Sequence, residues 1–230
     1  MRRLAAICLV ALSSLWAGNN VRAQNSAEPD KTTLPKVLIL GDSISLGYTA
    51  SVRKHLTGKA EVSRPNENCQ HTGYGLARIK TWLGEEKWDV IHFNWGIWDT
   101  HMLDAQNRLV RDETKGELHI RHTPKQYGEN LTKLVEAMEK TGAKLIWAST
   151  TPIMSRDGAR FDDIKKLNAV AEEIMKERKI AINDLYATVL PNVKEWQSAD
   201  KVHFSVQGSD KLGKMVADRI LEVLQKKGKE

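Results

Sequence analysis

The chain has 230 residues and a formal net charge of +6, from 35 lysine and arginine residues against 29 aspartate and glutamate residues. That length is sufficient for one domain with a large core and too short for two comfortable ones. The positive excess is small and dispersed along the chain, so it gives no reason to expect a nucleic-acid partner.

The first 23 residues are typical of an export signal. Arg2 and Arg3 form a basic start, residues 4–16 are largely apolar, and residues 21–23 offer small side chains for cleavage. Cleavage would remove three arginines and no acid, which lowers the net charge from +6 to +3. We expect a secreted or periplasmic protein with no stable membrane association. A retained anchor is the alternative, which the short apolar run disfavours.

A flexible leader is expected to follow the signal. Residues 24–35 are polar and contain two prolines, and residues 36–230 form one predicted domain. Because Cys8 lies in the signal, Cys69 is alone in the mature chain and no internal disulfide can form. Stability must then come from the core.

Strand-like and helical stretches alternate through the predicted domain. The strand candidates lie at residues 37–40, 60–63, 88–95, 143–149 and 180–182. Amphipathic helices are predicted at residues 123–141, 161–179 and 206–225, and the first begins with a capping box formed by Thr123 and Gln126 around Pro124. This alternation predicts a parallel sheet with helices on both faces. Residues 108–111 and 117–121 interrupt it and predict a hairpin beside the third strand.

Two short motifs carry the residues of a serine nucleophile and its base. Ser43 follows the first strand in Gly41-Asp42-Ser43, where a helix is expected to begin and free backbone N–H groups could stabilise an oxyanion. Near the C-terminus, Asp200 and His203 are three residues apart, so the carboxylate can fold back onto the imidazole and orient it. The alternative is that Asp200 only caps the last helix while His203 lies at the surface.

These motifs resemble those of the SGNH (GDSL) hydrolases, and the resemblance covers residues 37–225. It implies a flavodoxin-like three-layer α/β/α sandwich with a five-stranded parallel sheet and a Ser43–His203–Asp200 triad that needs no cofactor or metal. The family's second motif supplies a glycine N–H to the oxyanion hole. Spacing from Ser43 favours Cys69 at that place, and Gly73 and Gly75 stay open.

The third family motif is altered in this chain. The family has Gly-x-Asn-Asp, whose asparagine donates to the oxyanion, whereas this sequence has Gly96-Ile97-Trp98-Asp99. The indole N–H of Trp98 could donate instead, and Asn68 and Asn94 are further candidates. Loss of one such donor predicts a slower enzyme and not an inactive one.

The sequence therefore predicts a serine esterase that acts on O-acetyl groups of carbohydrates or on small esters. Trp95 and Trp98 follow the third strand and could stack on a sugar ring, whereas Trp82, Trp88 and Trp147 are expected in the core. A lysophospholipase or thioesterase and a non-catalytic glycan-binding module are the alternatives.

A metal site built from Asp99, His101, His119 and His122 is disfavoured, because an extended His-x-x-His points its rings to opposite faces. The sequence does not indicate an oligomeric state.

Overall fold

A five-stranded parallel sheet forms the centre of the computed structural model, which describes residues 33–110, 116–154 and 159–226. The predicted signal and most of the leader lie outside the described residues. The strands are β1 (Lys36–Leu40), β2 (Glu61–Ser63), β3 (Val90–Phe93), β6 (Lys144–Ala148) and β7 (Ala181–Asn183). They run in the order β2-β1-β3-β6-β7, and every neighbouring pair is parallel. This is the flavodoxin-like order, with its switch point between β1 and β3.

Helices cover both faces of the sheet. The longer ones are α1 (Ser43–His55), α2 (Thr72–Leu83), α3 (Pro124–Glu139), α4 (Ala159–Glu177) and α7 (Val206–Gln225). Two short helices, α5 (Leu185–Val189) and α6 (Val193–Trp196), lie between β7 and α7, and sequence patterning did not predict them. The three-layer α/β/α prediction is confirmed. None of the helices in the described ranges combines the length and the hydropathy that crossing a membrane requires.

The apolar run at residues 37–40 of β1 is explained by burial on both faces. Val37 and Ile39 point into the cluster that packs under α1 and α7, whereas Leu38 and Leu40 point into the cluster under α2 and α3. All four side chains are buried. Because this strand is central and buried, the turn that follows it is held on a rigid support.

The predicted capping box at the start of α3 is confirmed. The Thr123 hydroxyl accepts the Gln126 N–H, and the Gln126 side chain accepts the Thr123 N–H. Pro124 occupies the first turn, where its missing N–H costs no hydrogen bond. The capping box therefore fixes where α3 begins and where the preceding segment ends.

The predicted hairpin is wrong in its first arm. Strand β5 (His119–Ile120) pairs in antiparallel fashion with β4 (Met102–Leu103), and Leu109 forms an isolated bridge with Leu103. The Asp104 side chain accepts the N–H groups of residues 106 and 108, which closes a tight turn directly after β4. That turn returns Leu109 to β4, and the predicted connection at residues 112–115 lies outside the described residues.

Candidate active site

Ser43 is the first residue of α1, at the carboxyl edge of the central strand β1. Asp42 caps the helix by accepting the Ile44 N–H at 2.9 Å, so the first turn is closed around Ser43. The Ser43 side chain is half-buried. This position, beyond the carboxyl ends of parallel strands and next to the switch point, is where open α/β sheets bind ligands.

A continuous chain of hydrogen bonds joins Ser43 to the loop before α7. The Ser43 hydroxyl is 2.8 Å from Nε2 of His203, and Nδ1 of His203 is 2.6 Å from Oδ2 of Asp200. The His203 and Asp200 side chains are each 48% exposed, so the pair is open to solvent. A carboxylate only accepts, so the proton between Asp200 and the ring lies on Nδ1, which leaves Nε2 of the neutral ring to take the serine proton.

The second oxygen of Asp200 holds the loop itself. Oδ1 accepts the backbone N–H groups of Val202 and His203 at 3.0 and 2.9 Å. Partial burial of Asp200 raises its pKa, but the hydrogen bonds from the His203 ring and these two N–H groups outweigh burial and lower the pKa overall. The carboxylate thus has a double contact, with the imidazole and with the turn that carries it.

Backbone contacts fix the loop from both sides. Ser198 donates its N–H to the His203 carbonyl at 2.8 Å, and Ser205 caps α7 by accepting the Gly208 N–H. A Cβ at Gly208 would overlap the Trp196 carbonyl, so glycine is needed for the close approach of α6 and α7. Hydrogen bonds therefore hold the loop that presents the imidazole at both of its ends.

The assignment of Cys69 as an oxyanion donor is wrong. Its N–H donates to the Gly41 carbonyl at 3.2 Å, and its side chain is fully buried in the core. Burial also raises the pKa of the thiol to about 11, which disfavours a thiolate. The spacing placed this residue beside the serine correctly, but the N–H turns back to anchor its loop to the end of β1. Gly75 is also excluded, because its N–H donates to the His71 carbonyl.

Asn68 precedes Cys69 in this loop and keeps an unused amide donor. Its Oδ1 accepts the Gln70 N–H at 2.8 Å, which fixes the amide and leaves its NH₂ group without a protein acceptor in the described residues. Glu67 anchors the loop to α2, because its carboxylate accepts from Tyr74 at 2.6 Å, from Trp82 at 2.7 Å and from Arg78 at 2.9 Å. These hydrogen bonds, the one from Tyr74 first, lower the pKa of Glu67 to about 2.

Gly96 and Trp98 lie where the chain leaves β3. A Cβ at Gly96 would overlap the Thr150 hydroxyl, so the turn requires glycine. Trp98 is half-buried, and its carbonyl accepts from Arg121 at 2.7 Å while the guanidinium lies 5.9 Å from the ring centroid. The indole N–H of Trp98 has no protein acceptor within the described ranges.

The neighbouring candidates of the third motif are structural. Trp95 is fully buried and donates its indole N–H to the Cys69 carbonyl at 3.1 Å, so the prediction that it stacks on a sugar is wrong. Asn94 donates to the Ala148 carbonyl at 2.7 Å and to the Thr150 hydroxyl at 3.0 Å, which excludes it as an oxyanion donor. Trp82 and Trp147 are buried, as predicted, and Trp88 is half-buried.

Sequence reasoning missed Arg64, which braces the serine turn from the end of β2. Its guanidinium donates to the Gly41 carbonyl at 3.4 Å and to the Ser45 hydroxyl at 3.3 Å. Burial raises the pKa of Asp42, the residue between Gly41 and Ser43, to about 6. Oδ2 of Asp42 is buried without a partner in the described residues. No local pattern links Arg64 to Ser45, because the contact joins residues on adjacent elements of a folded sheet.

Within the described residues, the histidines are not grouped as metal ligands. No group of three or more His, Cys, Asp or Glu side chains in the described part of the chain is arranged to hold a metal ion. The ring of His119 lies 3.1 Å from the Asn107 side chain, whereas His122 turns the other way, 2.6 Å from the buried Asp99. His101 packs against Trp98, with ring centroids 4.9 Å apart.

No protein-family model matches the sequence, and no curated protein matches it significantly. Several solved structures do match this chain. A lipase/acylhydrolase from Enterococcus faecalis superposes with a TM-score of 0.64 at 24% identity, over 81% of this chain and 95% of that one. A GDSL-like lipase from Bacteroides thetaiotaomicron gives 0.62 at 17%, over 81% and 88%. A catalytic mutant of an acetylxylan esterase from Geobacillus stearothermophilus gives 0.64 at 18%, over 83% and 94%. The chain thus has the α/β/α fold of these hydrolases.

Proposed function

We propose that this chain is an SGNH (GDSL)-type ester hydrolase in which Ser43 is the nucleophile, His203 the general base and Asp200 the residue that orients His203. The hydrogen-bond chain from the Ser43 hydroxyl through both nitrogens of His203 to Asp200, with links of 2.8 and 2.6 Å, carries this proposal. It supplies an activated hydroxyl, a base of the correct tautomer and a group that stabilises the imidazolium.

The proposed reaction proceeds through an acyl-enzyme. Nε2 of His203 takes the Ser43 proton as Oγ bonds to the ester carbonyl carbon, and the carbonyl oxygen becomes the oxyanion. His203 then gives the proton to the departing alcohol oxygen as the ester C–O bond breaks. Water repeats the two steps on the acyl-enzyme, which releases the carboxylic acid and returns the proton to Ser43.

The oxyanion has three candidate donors in this proposal. The Ser43 N–H lies in the first turn of α1, where backbone N–H groups have no intrahelical acceptor. The Asn68 amide and the Trp98 indole each have a donor without a protein acceptor in the described residues. We assign the amide or the indole to the role that asparagine has in the third family motif.

The physiological substrate is proposed to be an O-acetylated carbohydrate or another small ester outside the cytoplasm. The export-like N-terminus supports the location, and the half-buried Trp98 supports a ring-shaped alcohol. The acetylxylan esterase among the similar structures acts in that class, although the likeness to it is one of fold.

A longer acyl chain is the second candidate, and it rests on a specific observation. Val206 is 89% exposed and follows His203 by three residues, and Leu46 is 46% exposed and follows Ser43 by three. These apolar side chains beside the triad would favour a lysophospholipase or thioesterase substrate. Comparison of acetate with octanoate esters separates the two candidates.

A serine-reactive fluorophosphonate tests the proposed chemistry directly. The wild-type protein should label, and the Ser43→Ala and His203→Ala variants should not. Ser198→Ala is the matched control, because Ser198 lies in the same loop and bonds to His203 through its backbone only. Absence of labelling in the folded wild-type protein would favour the non-catalytic binding module.

A further inference from the structure

A second aspartate–histidine pair lies at the same edge of the sheet as Ser43. Asp99 is fully buried, and its Oδ1 is 2.6 Å from Nδ1 of His122 and 2.6 Å from the Thr72 hydroxyl, while the Thr72 N–H donates at 3.1 Å. The carboxylate can only accept, so Nδ1 of His122 carries a proton. In the neutral ring, Nε2 is then a hydrogen-bond acceptor.

His71 lies beside this pair, and its two ring nitrogens have the reverse donor and acceptor roles. Its ring centroid is 5.2 Å from that of His122, and its Nδ1 accepts the Tyr74 N–H at 3.2 Å as the cap of α2. The ring proton therefore lies on Nε2, which is a donor. Burial, helped by the charge of Arg121, lowers the pKa of His71 to about 4 and keeps the ring neutral at neutral pH.

Both outer nitrogens are available to a ligand. Neither Nε2 has a protein hydrogen bond in the described residues, and neither is among the buried unpartnered polar atoms there, which include those of His55 and His92. The His122 side chain is 16% exposed. With a neutral His122 ring, the site offers one acceptor on His122 and one donor on His71, which matches a hydroxyl because a hydroxyl donates and accepts at the same time.

The pair and the proposed nucleophile lie at the same edge of the sheet. Asp99 follows β3 and Ser43 follows β1, and these strands are hydrogen-bonded neighbours about 4.8 Å apart. The charges of both Asp99 and His203 affect the pKa of Asp42, the residue before Ser43. His71 belongs to the same loop as Cys69, whose N–H is bonded to Gly41.

We propose that His71 and His122 form a hydroxyl-binding subsite for the alcohol part of the ester, so that the favoured substrates are acetylated sugars or polyols with a free hydroxyl near the ester. This inference rests on the proposed ester hydrolysis at Ser43. An acetyl group carries no hydroxyl, so the subsite can only serve the leaving alcohol. Asp99 and Thr72 are positioning residues, because they fix the ring of His122 and do not reach the ligand.

Two variants remove the outer nitrogens and keep the inner contacts. His122→Asn retains an N–H donor near the position of Nδ1 for Asp99, and His71→Asn retains an acceptor that caps α2. His119→Gln is the matched control, because His119 is exposed on β5, three residues before His122, and contacts Asn107 instead.

The measurement is the ratio of kcat/KM for methyl 3-O-acetyl-β-D-xylopyranoside to that for cyclohexyl acetate, a ring without hydroxyls. The ratio should favour the pyranoside in the wild-type protein and fall roughly 3- to 10-fold in each asparagine variant, the change expected for one neutral hydrogen bond. It should stay within about twofold in His119→Gln. An unchanged ratio in both asparagine variants would overturn the subsite.

Failure of the proposed hydrolysis gives a different result. If the wild-type protein cleaves neither ester, the subsite is tested by binding alone, through the imidazole ¹⁵N signals during titration with methyl β-D-xylopyranoside. Perturbation of the Nε2 signals of His71 and His122, with those of His119 unmoved, would support the subsite without the reaction. No perturbation at millimolar sugar would overturn it.

Discussion

Replacement of Asp200 by asparagine tests how the triad is oriented. Asparagine keeps an oxygen for the N–H groups of Val202 and His203, which now bond to Oδ1 at 3.0 and 2.9 Å, so the loop should retain its conformation. The amide NH₂ then replaces Oδ2, which lies 2.6 Å from Nδ1 of His203. It donates to Nδ1 and favours the ring with its proton on Nε2, which cannot accept the Ser43 proton.

The expected loss of activity in Asp200→Asn depends on how exposed Asp200 and His203 are. In a buried triad this change lowers kcat on the order of 10⁴-fold, and loss of the base or nucleophile costs on the order of 10⁶-fold. The Asp200 and His203 side chains are 48% exposed, so water can compete for Nδ1. We therefore expect a loss of about 10²- to 10⁴-fold in kcat/KM, equivalent to about 3–5 kcal/mol.

The assay is hydrolysis of p-nitrophenyl acetate, with thermal unfolding measured on the same samples. His203→Ala should lose more activity than Asp200→Asn. Asp210→Asn is the matched control: its side chain is 53% exposed and accepts from the Ser51 hydroxyl, and it should stay within about twofold of wild type. An Asp200→Asn variant that unfolds like wild type and keeps more than about a tenth of its kcat/KM would refute the tautomer argument.

Three further predictions use other residues. Trp98→Phe should lower kcat on the order of 10²-fold with little change in KM if the indole N–H stabilises the oxyanion, and unchanged kcat would assign that role to Asn68. Acetate esters should be hydrolysed faster than octanoate esters, and the reverse order would favour the acyl-chain role of Leu46 and Val206. Asp42→Asn keeps a helix cap but removes a carboxyl whose pKa burial raises to about 6. A raised pKa means that the folded state binds the proton more tightly, so ionised Asp42 destabilises the fold above pH 6. The variant should then gain up to about 2–3 kcal/mol in urea unfolding at pH 7.5 and little at pH 4, whereas equal gains at both would contradict the pKa shift.

The fold was predictable because its determinants are local. An apolar run such as residues 37–40 of β1 requires burial on both faces, and the capping box of Thr123 and Gln126 fixes a helix start by itself. The spacing of Asp200 and His203 also allows their contact within a single turn. The 2.8 Å approach of His203 to Ser43 spans 160 residues, and it was expected from the resemblance to the SGNH hydrolases because no local pattern encodes it.

Only the tertiary structure decided which way groups point once the chain leaves a strand. The Cys69 N–H is bonded to Gly41 and the Trp95 ring is buried, because loops turn to satisfy backbone donors and to fill the space beside α2. The contact of His122 with Asp99 joins residues 23 apart in sequence, and no residue pattern encodes such a contact in irregular backbone. Strand and helix periods fix the faces of regular elements, whereas the direction of a loop side chain depends on packing between distant segments.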